Sequence, residues 1–208
     1  MEGYKMAAGL TTPNTLYEML QTRTSTSKLV AGIVAAIAGS MLLTLAAKIQ
    51  VPVWPVPVTL ATLAVALIAG AAGWRIGVAS VVLYIIQGLA GLPVFSNGGG
   101  IAYIFSPTFG FIIGFVVMAY LIGRASDAGL AKKVLPMLAV MLLADAICLV
   151  FGYVWLVALS GGATWIDQTN VLGSAFAKAV QPFLIWDALK MALAAITVAG
   201  ASAVLLRK

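Results

Sequence analysis

The sequence predicts an all-α integral membrane protein with six transmembrane helices. Three observations carry this expectation. The 208 residues are 62% hydrophobic and only 9% charged, with a mean hydropathy of +1.09. Soluble domains are about half apolar and about a quarter charged, so lipid is the solvent this composition suits. The apolar residues gather into six long segments, and the Lys and Arg residues fall on alternate connections between them.

In chain order, residues 1–27 are polar and do not resemble a secretory signal, because the first apolar run is too long for an h-region. Asn14 could cap a short amphipathic helix with Leu16, Met19 and Leu20 on one face, or the segment could be a tail. The first apolar segment covers 29–47, long enough to cross about 30 Å at about 1.5 Å per residue. The second covers 57–72 and is short, ending at Gly73-Trp74-Arg75, and the third covers 76–89. The fourth covers 107–122, the fifth 134–159 and the sixth 182–206. Pro182 suits a first helical turn, where its missing N–H is no loss.

With the N-terminus in the cytoplasm, Lys5, Arg23, Lys28, Arg75, Arg124, Lys132, Lys133, Arg207 and Lys208 fall inside, and only Lys48 and Lys178 outside. That asymmetry follows the positive-inside rule and predicts an even number of spans with both termini cytoplasmic. It also accounts for a net charge of +6 without nucleic acid. The chain has no histidine, which excludes imidazole metal ligation, Ser-His catalysis and histidine pH sensing; no metal site is expected. The single cysteine, Cys148, excludes an intrachain disulfide.

Three unusual stretches share the outer side of this topology. Gln50–Val58 holds prolines 52, 55 and 57 together with Trp54, and is apolar yet barred from helix. The connection from Gly88 to Pro107 is uncharged and glycine-rich, with apolar Leu92, Val94, Phe95, Ile101, Tyr103 and Phe105. Non-helical backbone at membrane depth is tolerated where it is buried or lines a cavity, so this stretch reads as a folded-in cap. Gly98, Gly99 and Gly100 would allow close backbone approach to a ligand. The sixth segment opens with Trp186, Asp187 and Lys190; the last two, three residues apart, share a helix face. Intramembrane charges usually face the protein interior and mark functional sites, although an ion pair that only orients helices would look the same. Together the three stretches describe an outward-facing small-molecule pocket with apolar walls and a few fixed polar groups.

Helix one carries Ala31, Ala35 and Gly39 at four-residue spacing, a stripe that admits close helix approach, either to a partner or within the chain. Asp145 lies mid-way along the fifth segment and reads as a structural or helix-association group. An intramembrane aspartyl protease pairing Asp145 with Asp187 is the enzyme alternative, but the two residues are expected at different depths.

Four runs also carry a family resemblance: Gln50-Val-Pro-Val-Trp-Pro-Val-Pro-Val-Thr-Leu-Ala-Thr-Leu-Ala-Val65, Leu83-Tyr-Ile-Ile-Gln-Gly-Leu-Ala-Gly-Leu-Pro-Val-Phe95, Ser106-Pro-Thr-Phe-Gly-Phe-Ile-Ile-Gly-Phe115 and Pro182-Phe-Leu-Ile-Trp-Asp-Ala-Leu-Lys190. Over about residues 28–206 the chain resembles BioY, the biotin-specific substrate-binding (S) component of energy-coupling factor (ECF) transporters. It departs from the family pattern at Ala61, where Gln is frequent, and at Ser96 and Asn97, where glycine is common. The resemblance implies a six-helix S-component fold over 28–208, a cytoplasmic N-terminal segment over 1–27, and a multi-pass protein of the bacterial inner membrane that takes up biotin. It implies a binding protein rather than an enzyme, with no cofactor of its own. The implied partners are a transmembrane coupling protein, facing Ala31, Ala35 and Gly39, and two ATPases that use the ATP. Asp187 and Lys190 match the family's ligand-binding Asp-x-x-Lys, and Asn97, Gly98, Trp186, Tyr84, Trp54 and Phe95 are the further expected biotin contacts. An S component for another vitamin is the nearer alternative.

Overall fold

The structure is a computed structural model that describes residues 15–16 and 25–205. The expected amphipathic helix before residue 25 lies outside these residues, apart from Thr15 and Leu16.

Helix α1 spans Ser25–Lys48, and a two-stranded antiparallel ribbon follows, β1 (Gln50–Val51) paired with β2 (Val58–Thr59). Helix α2 spans Ala61–Leu89 and α3 Phe109–Asp127, with a 3₁₀ turn Ile101–Phe105 between them. A second 3₁₀ turn, Leu130–Lys132, leads to α4 (Val134–Ala158); α5 (Val171–Ala179) and α6 (Leu184–Leu205) complete the chain.

Among the described residues, five helical stretches are long and apolar enough to cross a membrane: Leu29–Lys48, Ala61–Leu89, Phe109–Asp127, Val134–Ala158 and Val171–Val204. The six expected segments appear as five such stretches, because the second and third run on without a gap as the element α2. That element is not straight. Gly73 has φ 80° and ψ 176°, a conformation that L side chains rarely adopt, and a Cβ there would collide with the Asp127 carboxylate. A Cβ on Gly77 would lie 3.0 Å from Ala69 Cα. Eight residues of continuous helix separate by about 12 Å, so the two legs of α2 fold back on each other at Gly73.

Helix α2 packs between α1 and α3, α4 packs on α3, and α6 closes against α2 and α4. Small residues set these approaches. A Cβ on Gly114 would come within 3.0 Å of Cys148 Cα, and one on Gly123 would run into the Trp74 backbone. Met118, Ile122, Met137, Met141 and Met191 fill the interior, while Val30, Ile33 and Val34 of α1, Leu143 and Val150 of α4, and Leu193 and Ile196 of α6 face outward as a lipid-exposed belt. Helix α5 was not foreseen. Its first turn is capped by Asn170, whose side chain accepts from Gly173 N at 3.1 Å.

The bundle has two chemically different ends. Gly73, Trp74 and Arg75 meet Gly123, Ser126 and Asp127 at one end, where Ser126 Oγ donates to Gly70 O at 2.6 Å. The ribbon, the cap and the start of α6 meet at the other.

Candidate functional site

The ribbon brings polar side chains down to the helices. Its register pairs Gln50 with Thr59 and Val51 with Val58, so the proline stretch returns antiparallel beside the end of α1. Leu60 N donates to both Ala46 O (3.2 Å) and Ile49 O (3.1 Å), which fixes where α2 begins. Thr62 therefore sits in the first turn of α2, and the positive end of that helix leg lies beside whatever Thr62 touches.

Thr62 touches Asp187. Its Oγ1 donates to Asp187 Oδ1 at 3.1 Å. Lys190 Nζ donates to the same Oδ1 at 2.6 Å and to Thr59 O at 2.6 Å, and lies 3.4 Å from Thr62 Oγ1. Asp187 is fully buried and Lys190 nearly so. Asp187 Oδ2 is buried too, and no hydrogen-bond partner among the described residues reaches it. A buried acceptor without a partner is costly, so this oxygen is suited to a donor from outside the chain.

These groups form one wall of a partly open cavity, whose empty space is about 540 Å³ with the solvent at its mouth included. A second polar group lies in the cap. Ser96 Oγ is 3.1 Å from Tyr103 OH, Thr108 Oγ1 donates to Tyr103 OH at 3.0 Å, and Ser106 Oγ is 2.7 Å from Thr108 Oγ1. Ser96 and Thr108 both line the cavity, and Trp155 Nε1 donates to Ser106 O at 3.1 Å, anchoring this chain of hydroxyls. The remaining wall is mostly apolar: Val56, Phe111, Ile112, Phe115, Leu149 and Phe183.

The cap holds its shape through Phe95, which is fully buried with its ring 5.2 Å from Tyr84 and 4.5 Å from Tyr103. Phe95 and Gly98 exchange backbone hydrogen bonds (3.0 and 3.3 Å), and Gly100 N donates to Gly88 O at 2.7 Å. A Cβ on Gly88 would fall inside the Phe95 ring.

Of the residues expected to line the pocket, Asp187, Lys190 and Tyr84 do so. Phe95 stands behind Tyr84 as support. Asn97 is exposed and Gly98 half-buried in the turn that closes the cap, and neither lines the cavity. The glycine run folds the cap onto itself: Gly98 and Gly100 have φ of 127° and 102°. Trp54 (71% exposed) and Trp186 (59% exposed) do not line the cavity. Trp186 is adjacent to Asp187, and successive helix residues differ by about 100° in direction, which turns it outward. Gly39 is buried against Ser80 and Ile68, so this third member of the small-residue stripe packs inside the chain, while Ala31 and Ala35 are half-buried. Asp145 is buried with Oδ1 unpartnered among the described residues, and it lies within electrostatic reach of both Asp187 and Lys190. Sequence reasoning missed Thr59, Thr62, Ser96 and Thr108; hydroxyl residues beside proline and glycine breaks were the available signal.

The BioY family model matches residues 18–207. The Lactococcus lactis protein described as "Biotin transporter BioY2" is 35% identical over 119 residues, which is 57% of this chain and 65% of that protein. A "Probable biotin transporter BioY" of Lysinibacillus sphaericus is 47% identical over 39% of this chain and 41% of its own length. The Pyrococcus horikoshii protein of the same description is 33% identical over 72% of this chain and 83% of its own length. The matched stretch thus spans less than two thirds of the first two relatives. The crystal structure of "the S-component for biotin from an ECF-type ABC transporter" superposes with a TM-score of 0.71 at 22% identity, covering 86% of this chain and 93% of that one. The fold is thus that of an S-component, and with the family model matching nearly end to end, the chain belongs to the BioY family.

Proposed function

We propose that this chain is the membrane-embedded binding component of a biotin uptake system. The observation that carries the reading is Asp187 Oδ2, a buried acceptor with no partner among the described residues, on a residue that lines the cavity. Biotin carries a ureido ring with two N–H donors and a carbonyl. One N–H supplies the hydrogen bond that Oδ2 lacks, and the apolar wall suits the sulfur ring and the aliphatic tail. Tyr84, Thr62 and Phe111 complete the proposed enclosure; Asn97, Gly98, Trp54 and Trp186 are not part of it. The names of the relatives support biotin over another vitamin. The aspartyl-dyad alternative is not favoured, since Asp187 Oδ1 is committed to Lys190 and Thr62.

The finer assignments rest on sequence and chemistry. The positive-inside bias favours cytoplasmic termini and an outward-facing cavity in the bacterial inner membrane, with residues 28–208 as one membrane domain and 1–27 as a cytoplasmic segment. Ala31 and Ala35 face a transmembrane coupling protein, which works with two ATPases; the ATP is theirs, and the chain needs no cofactor or metal of its own. Equilibrium binding of labelled biotin to the purified protein tests the reading. Saturable binding that excess biotin competes away and other vitamins do not is expected; absence of saturable binding, or tighter binding of another vitamin, overturns it.

A further inference from the structure

One charge beside the cavity has no role in the proposed site. Lys48 is the last residue of α1, and its Nζ donates to the Phe95 carbonyl at 2.5 Å. Lys48 is exposed and does not itself line the cavity, but Ala47, which precedes it in the chain, and Ser96, which follows the carbonyl it holds, both do. An ammonium group has three donors, and Phe95 O takes one. Among the described residues no carboxylate lies within ion-pair distance of Lys48. Lys190 is in the opposite situation, because Asp187 Oδ1, Thr59 O and Thr62 Oγ1 occupy its three donors. A ligand with a carboxylate at the end of an apolar chain therefore finds its free cation at Lys48 and not at Lys190. Ser96, next to it, adds a hydroxyl from the cap.

We infer that Lys48, together with Ser96, binds the ligand's carboxylate and makes the site selective for an acid over its neutral analogue. This rests on the biotin reading and adds to it a position for the tail. It also couples the ligand to the cap, because the same ammonium holds Phe95 O and the turn that Phe95 makes with Gly98.

The test compares biotin with biotin amide, its uncharged counterpart, by titration of the purified full chain. Wild type is expected to prefer the acid by about tenfold, the size of one charge-assisted hydrogen bond at a partly screened site. Lys48→Gln keeps a donor for Phe95 O and loses the charge. It should bring biotin down to the affinity of the amide while the amide changes by less than about twofold. Lys48→Arg should keep the preference. Amide binding reports that the variants are folded. Equal weakening of both ligands by Lys48→Gln would make Lys48 a strap for the cap and nothing more, and would overturn the inference. An unchanged preference in Lys48→Gln, or no preference in wild type, overturns it equally. A wild type that binds neither compound removes the biotin reading itself, and that result is visible before any substitution is made.

Discussion

Replacing Lys190 with Met is the sharpest perturbation of the site. Met keeps the length and removes the charge. The change takes one hydrogen bond of 2.6 Å from Asp187 Oδ1, another of 2.6 Å from Thr59 O, and the 3.4 Å contact with Thr62. Asp187 is then a fully buried carboxylate held by Thr62 alone among the described residues. Truncating one partner of a buried hydrogen-bonded charge pair costs about 2–5 kcal/mol, which is at least about 30-fold if it falls on binding. Some of the cost falls on the fold, so the assay needs two readouts: biotin titration in detergent, and thermal unfolding followed by tryptophan fluorescence. Asp187→Asn should lose affinity similarly, because it turns an acceptor oxygen into a donor that opposes the ureido N–H. An ion pair that only orients α6 makes a different prediction. Removing both charges in Asp187→Asn with Lys190→Met would then relieve the unpaired charge and restore binding. Wild-type biotin affinity in that double variant would refute the claim that these side chains touch the ligand.

Thr62→Val keeps the shape and removes one hydroxyl from the carboxylate, so biotin affinity should fall about fivefold, the size of about 1 kcal/mol, with little change in unfolding temperature; an unchanged titration would remove Thr62 from the site. Ala35→Trp should abolish co-purification with a coupling protein and leave biotin affinity unchanged, whereas equal loss of both would mean that the half-buried Ala35 packs only within the chain. In a Cys148→Ala background, cysteine at position 97 should react with an impermeant thiol reagent from outside and cysteine at 133 should not; the reverse pattern would invert the topology. In the loop before α5, Asp167 accepts from Thr169 Oγ1 (2.7 Å) and Thr169 N (2.9 Å), and these bonds hold its carboxyl below the usual carboxylate range. Their support is present above the unfolded value of about 3.9 and is lost as pH falls through the lower folded value. The protection factor of the Thr169 amide, its exchange rate set against the intrinsic rate at the same pH, should therefore be larger at neutral pH and fall below that range; a pH-independent protection factor would contradict the assignment.

The fold was legible where hydrophobic runs are long. The segments expected at 134–159 and 182–206 became Val134–Ala158 and Leu184–Leu205. At Gly73 the turn is so tight that helix resumes at once, so the second and third expected segments run on as one element folded back on itself. The pocket was legible through its charges, because a buried Asp and Lys three residues apart stand out in an apolar helix. Its hydroxyl groups were not, because Thr and Ser are common in membrane helices and gain meaning only once the ribbon sets Thr59 and Thr62 against α6. The aromatic expectations divided for a similar reason. Tyr84 and Phe95 face inward while Trp54 and Trp186 face outward, and that choice depends on helix rotation and ribbon register, which pattern alone does not specify.

Thr62 and Asp187 are 125 residues apart in the chain, whereas Asp187 and Lys190 are three apart. That difference bears on how the protein is made. The ribbon and the first four helices leave the ribosome long before α6 does, so the polar wall of the cavity is unfinished until the final helix arrives. A lone Asp or Lys near the centre of an inserting helix would add about 2.5–3.5 kcal/mol to the cost of entering the bilayer, and less near its end. Held three residues apart on one face, the two charges enter lipid as a locally neutral unit, before they have docked against Thr62 and Thr59. The last helix thus carries its own counter-ion into the membrane, and docking only has to exchange lipid for the waiting Thr62 hydroxyl and Thr59 carbonyl.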